Sequence, residues 1–166
     1  DLFMWMRDDD FRTLVYDSPL GEIAAACMRS QRVTFIVDMM LTKEPHTPAP
    51  TPWHHDQPFY CMEGSKMCVV WIPVDDHSQE ISLGLLKGSH RWGKRFRPER
   101  INGGWYDGYG EGDGVVMPPD LAGHPDCYDI LSWDMKAGDC IVFHGLTLHG
   151  APGNLTQRPR RAISLV

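Results

Sequence analysis

No Cys-x-x-Cys pair occurs in this chain, and its five cysteines (Cys27, Cys61, Cys68, Cys127 and Cys140) are odd in number. That pattern speaks against a zinc ribbon and a disulfide framework, and it fits the reduced thiols of a cytoplasmic protein. No apolar run approaches the length of a membrane span, so no membrane partner is expected. Basic charge is also scarce. Sixteen Lys and Arg stand against 22 Asp and Glu, a net charge of −6. A protein that grips phosphate backbones needs the opposite balance, so no nucleic-acid partner is expected. There is no internal repeat. What remains is ordinary for a globular chain: 166 residues, 42% hydrophobic and 23% charged, enough for one domain over residues 1–166 with a core of its own. The chain opens at Asp1 and stops at Val166 inside an apolar run, so a domain truncated at both ends is expected.

The local texture divides the chain. Asp8 to Tyr16 carries Phe11, Leu14 and Val15 at helical spacing, and Ser18-Pro19 reads as the start of a second helix that ends near Met28. From Arg32 to Lys43 the residues favour a strand. Four prolines between Glu44 and Pro52 impose a loop. Further strands are expected over Trp53 to Tyr60, Lys66 to Val74, Ile81 to Leu86, Asp129 to Trp133, Asp139 to His144 and Arg161 to Val166. Short strands in series joined by turns indicate a sandwich or jelly roll. Gly103 to Gly114 is rich in glycine and aromatics, a loop suited to closing over a site or to staying at the surface.

The chemistry gathers around Trp53-His54-His55-Asp56-Gln57. On a strand, His54 and Asp56 project to one face and His55 to the other. An isolated H-x-D also describes a turn or a surface salt bridge. A third ligand would strengthen the case, and in the Gly138 to Gly150 stretch His144 and His149 compete for the role. They are an odd number of residues apart and Gly145 interrupts the strand, so parity leaves the choice open. Two histidines and a carboxylate on one side of a metal leave its remaining positions open, as non-haem Fe(II) oxygenases require. Arg158, Arg160 and Arg161 follow, and any of them can pair with the free carboxylate of a chelating 2-oxo acid.

Taken together, the H-x-D, Leu148-His149-Gly150, Lys87-Gly88-Ser89-His90-Arg91-Trp92-Gly93 and Arg160-Arg161-Ala162-Ile163-Ser164 resemble the phytanoyl-CoA dioxygenase family, in particular its bacterial members. The resemblance runs from Phe11 onward. It implies a mainly β fold, a cupin-like double-stranded β-helix with flanking N-terminal helices. It implies Fe(II) on His54, Asp56 and His149, with His144 left out. It implies that Arg160 holds 2-oxoglutarate as co-substrate beside Trp71 and Met39. The family can carry a hydroxyl residue where this chain has Ala151, so one co-substrate contact is lost or supplied elsewhere. Gln57, Tyr60 and Trp92, next to the ligand motifs, are candidates for the substrate pocket.

The function so implied is a dioxygenase that uses dioxygen and 2-oxoglutarate to hydroxylate a small organic molecule, releasing succinate and carbon dioxide. Asp56 favours hydroxylation over halogenation, because related halogenases lack that carboxylate. Two other readings are weighed against it. A metal-dependent cupin-type enzyme without 2-oxoglutarate needs no carboxylate anchor. A noncatalytic small-molecule-binding relative needs no complete ligand set, and here the set is complete.

Overall fold

A computed structural model describes residues 1–100, 103–109, 114–121 and 123–166. Two antiparallel four-stranded sheets face each other. The first contains β1 (Asp38–Lys43), β3 (Cys68–Pro73), β8 (Ile141–His144) and β10 (Arg160–Leu165), in the order β1-β10-β3-β8. The second contains β2 (Thr51–His54), β4 (Gly84–Leu86), β7 (Ile130–Leu131) and β9 (His149–Ala151), in the order β2-β9-β4-β7. The chain passes repeatedly from one sheet to the other, which is the double-stranded β-helix. The short β5 (Arg95–Phe96) and β6 (Val115–Val116) pair in parallel outside these sheets.

Alternation decides what each sheet buries. In the first sheet Met39, Ser164 and Trp71 lie side by side in register, so their side chains share a face. That inner face meets the second sheet in a core of Val69, Trp71, Leu83, Leu85, Phe143, Ala151 and Ala162. The outer face presents Val70, Ile72 and Leu165 to α2 (Leu20–Met28), which packs through Leu20, Ala24 and Met28. Before it comes α1 (Asp9–Tyr16), capped by Asp8, whose carboxylate accepts the backbone N–H of Asp10 and Phe11. Among the described residues no helix is long and apolar enough to cross a membrane.

Several expected boundaries move. The strand expected from Arg32 begins only at Asp38, because the preceding residues find few ladder partners. Pro19 rather than Ser18 is the N-cap of α2. The strand expected over Trp53 to Tyr60 stops at His54, and Gln57–Phe59 forms a single 3-10 turn with Pro58 in it. The region from Ile81 to Leu86 likewise starts with a 3-10 turn, Gln79–Ile81, and keeps only Gly84–Leu86 as strand. The long excursion between β4 and β7 covers the outside of the second sheet, where Phe96 and Leu121 pack on Leu86 and Leu148 beside Trp53 and Tyr128. Trp53 lies against the registered pair Gly84 and Gly150: a Cβ on Gly150 would sit 3.0 Å from the Thr51 carbonyl oxygen and 3.2 Å from the Trp53 ring.

Candidate metal centre

His54 closes β2 and His149 opens β9, and antiparallel pairing sets the two residues directly opposite each other. Their ring centroids are 4.2 Å apart. Each ring is oriented by the carbonyl two residues behind it. His54 Nδ1 donates to Pro52 O at 2.7 Å, and His149 Nδ1 donates to Thr147 O at 2.9 Å. A proton held on Nδ1 leaves Nε2 with a free lone pair, the form in which histidine binds metals. Asp56 Oδ1 lies 3.4 Å from His54 Nε2 and 3.6 Å from His149 Nε2. One donor atom from each of the three residues falls within 4.8 Å of the others. With metal–ligand bonds of about 2.1 Å, donors at right angles sit about 3 Å apart, so this set can hold a metal with little movement.

The carboxylate arrives by a route that strand alternation does not describe. Asp56 is past the end of β2, with helical φ and ψ of −82° and −33°. Its backbone is fixed by Gly145, whose carbonyl accepts the N–H groups of both Asp56 and Gln57 at 2.9 Å. The Met67 side chain packs over Gly145, where a Cβ would lie 2.8 Å from Met67 Sδ. The turn from Gly145 to Leu148 carries the chain from the first sheet to the second, so the parity of His144 and His149 does not apply. His144 points away, with Nε2 bonded to Ser65 O at 3.1 Å and its ring stacked on His90. His55 also stays out of the cluster. Its Nε2 accepts the Phe96 N–H at 2.9 Å, and burial pushes its pKa down to about 4.

The electrostatics suit a metal. Burial disfavours a charged His54, yet the Asp56 carboxylate raises its pKa above the ordinary value. Burial, reinforced by His54, pushes His149 down to about 4. Burial opposes ionisation of Asp56, but His149 and His54 hold its pKa below the ordinary carboxylate value. The cluster therefore holds a negative charge against a proton that a cation can displace.

A residue in the Lys87-Gly88-Ser89-His90 element that was not expected to matter positions His149. The buried Ser89 hydroxyl donates to Leu86 O and accepts the Leu148 N–H, both at 2.8 Å. Leu148 O in turn accepts the Leu86 N–H. Both backbone groups of the residue before His149 are thus tied down.

The three arginines separate clearly. Arg158 lies in the loop before β10. Arg161 points outward and forms a two-pronged ion pair with Asp75 at 2.9 and 2.6 Å. Arg160 is buried on the inner face, with one bond from Nη1 to Ile81 O at 2.6 Å. Among the described residues it has no carboxylate partner, and burial lowers its pKa. Lys43 stands opposite it in register on β1. The Lys43 amine donates to Ala49 O, Pro152 O and, at 3.4 Å, Ala151 O; burial and then Arg160 push its pKa down to about 8. Met39 and Trp71 lie on the same inner face.

The pocket candidates are not all together. Gln57 is buried, donates to Gly64 O, and among the described residues its own carbonyl oxygen has no partner. With Tyr60, Arg95 and Tyr109 it lines a cavity of about 290 Å³. Burial and then Asp56 push the Tyr60 phenol up to about 12, so it remains a donor. Trp92 lines a different hollow, with Phe96, Met117 and Tyr128 on the outside of the second sheet. Two aromatics of residues 103–109, in the glycine and aromatic loop, reach the turn beside the cluster: Phe59 is edge-on to His54, Tyr106 is edge-on to Phe59, and Tyr109 Oη donates to Pro58 O at 2.8 Å. Residues 110–113 of that loop lie outside the described residues.

Comparison with known proteins follows the same line. The family model for phytanoyl-CoA dioxygenase (PhyH) matches residues 2–162. A curated relative, the "Phytanoyl-CoA dioxygenase" of Arabidopsis thaliana, is 24% identical over 159 residues, 95% of this chain and 52% of the relative. Among solved structures, the epimerase SnoN in complex with Fe3+, alpha ketoglutarate and nogalamycin RO is similar with a TM-score of 0.76 and 20% identity, over 99% of this chain and 60% of that one. EctD from S. alaskensis with 2-oxoglutarate and 5-hydroxyectoine has a TM-score of 0.74 and 18% identity, over 99% and 54%. This chain spans little more than half the length of these relatives.

Proposed function

The chain belongs to the phytanoyl-CoA dioxygenase family, and from that premise we propose that it is an Fe(II)- and 2-oxoglutarate-dependent dioxygenase hydroxylating a small organic molecule. Succinate and carbon dioxide are its other products. One observation carries the reading. A cluster of two imidazoles and a carboxylate shares the barrel interior with a buried arginine that has no anionic partner among the described residues. A chelating dicarboxylate answers both features at once.

The roles of the residues follow. His54, Asp56 and His149 hold Fe(II), and the carbonyls of Pro52 and Thr147 keep both imidazoles in the metal-binding tautomer. Arg160 pairs with the distal carboxylate of 2-oxoglutarate, while Trp71 and Met39 flank the co-substrate. Iron held by these three residues would supply the activation of dioxygen. Gln57 and Tyr60 offer a carbonyl acceptor and a phenol donor to the substrate. Phe59, Tyr106 and Tyr109 close the cluster from the solvent side. Residues 1–166 belong to a single oxygenase domain.

The test is an anaerobic titration with Fe(II) and 2-oxoglutarate, followed by the visible metal-to-ligand charge-transfer absorption. A band in the unaltered protein is expected, absent in His149→Ala and requiring more 2-oxoglutarate in Arg160→Ala. A folded protein without a band would refute the proposal and favour a barrel enzyme that needs no 2-oxo acid.

A further inference from the structure

His77 is a buried polar group with no stated task. It is 2% exposed, and among the described residues neither ring nitrogen makes a hydrogen bond, although the Arg161 backbone lies near the ring. A buried imidazole in that condition is uncommon, because leaving such a group unbonded is destabilising. Its backbone is fixed on both sides, by N–H to Met135 O and by its own carbonyl accepting the Met135 N–H, each at 2.8 Å. The ring lies against Trp71, centroid to centroid 5.5 Å. Trp71 and Arg160 face the same interior, and Arg160 is close enough for its charge to act on the ring.

The acids nearby are engaged elsewhere. Asp75 is paired with Arg161, and Asp76 with Lys136 and the Ala137 N–H. The Lys43 amine adds positive potential beside Arg160 while donating its hydrogens to backbone carbonyls. Among the described residues the buried Arg160 is therefore left without an unengaged anion beside it. Ala151, at the position where the family can place a hydroxyl, contributes only a methyl group to the core.

We propose that His77, set on Trp71 beside the unpaired Arg160, donates a hydrogen bond to the distal carboxylate of the 2-oxo acid and makes the site select a dicarboxylate over a monocarboxylate. This rests on the reading of Arg160 as the carboxylate anchor. Burial and then Arg160 lower the pKa of His77, so the ring is neutral and offers one N–H. It supplies from β3's end of the barrel the contact that Ala151 lacks.

The test compares two chelating 2-oxo acids by the same anaerobic charge-transfer titration. 2-Oxoglutarate carries the distal carboxylate, and pyruvate does not. His77→Met removes the donor and His77→Gln keeps one. A hydrogen bond to a charged group predicts that His77→Met binds 2-oxoglutarate about tenfold more weakly, with pyruvate unchanged. His77→Gln is expected to recover most of the loss. Wild-type affinity for 2-oxoglutarate in His77→Met, or an equal loss for both acids, would overturn the proposal. A second measurement needs no variant to fold. In Zn(II)-loaded, 15N-histidine-labelled wild type, the His77 ring nitrogens are expected to shift on adding 2-oxoglutarate and not on adding pyruvate. The same response to both acids, or to neither, refutes the role. No charge-transfer band from either acid in the wild type would instead overturn the parent reading.

Discussion

Replacing Arg160 with methionine separates two roles that a buried arginine can have. Arg160 makes one hydrogen bond, to Ile81 O, and has no carboxylate partner among the described residues. Removing an unpaired buried cation also removes its desolvation penalty, so the ligand-free variant should unfold within about 1 kcal/mol of the parent, or later. The co-substrate tells the opposite story. Two charge-assisted bonds to the distal carboxylate, each about 1.5 kcal/mol, amount to about 3 kcal/mol, or about a hundredfold in Kd. Urea unfolding without ligand measures the first effect. Anaerobic thermal unfolding of the metal-loaded protein measures the second. At a 2-oxoglutarate concentration of about 100 Kd the parent gains about 2.7 kcal/mol, whereas the variant, then near its own Kd, gains about 0.4 kcal/mol. A variant that unfolds much more readily without ligand, yet keeps the full 2-oxoglutarate gain, would show that Arg160 is a structural residue and refute the argument.

Arg161→Ala should leave 2-oxoglutarate affinity unchanged in the same titration, because Arg161 is engaged by Asp75 outside the barrel. Ser89→Ala leaves the buried Leu148 N–H without its acceptor, so a loss of about 1–3 kcal/mol in urea unfolding is expected, together with weaker metal binding as His149 loses its tether. Gly150→Ala forces a methyl group against the Thr51 carbonyl and the Trp53 ring, and should lower stability by about 1–3 kcal/mol. The last prediction concerns protons. In the metal-free protein the pKa of His54 is raised, so the ring carries a proton to higher pH than an ordinary histidine. Metal binding must expel that proton, so apparent affinity rises with pH through the His54 titration and flattens above it. Calorimetry in buffers of different ionisation enthalpy should detect proton release on the acid side and none well above it.

How much of this was legible in the residues depends on the distance over which each signal acts. The two helices, the strands around Cys68 to Pro73 and Arg160 to Leu165, and the sandwich architecture follow from local periodicity, which the core retains. The H-x-D pair was found by an alternation argument that holds only in part. His54 is on a strand, but Asp56 turns inward from a 3-10 turn held by Gly145, a residue far along the chain. The same long-range turn decides between His144 and His149. Spacing alone does not separate Arg160 from Arg161, whereas pairing with β1 and β3 puts one inside and one outside. Trp92 looked pocket-like beside the Lys87-Gly88-Ser89-His90 element, yet the excursion after β4 carries it to the outside of the second sheet. His77 carried no local signal, because its significance lies in what surrounds it: Trp71, Arg160 and a shortage of hydrogen-bond partners.

The opposed placement of His54 and His149 reaches beyond coordination. β2 is an edge strand, and its ladder joins β9 at only two registered pairs, Thr51 with Ala151 and His54 with His149, with an irregularity between them. An ion held by both histidines fastens that margin like a clasp, joining the proline-rich loop to the far end of the chain.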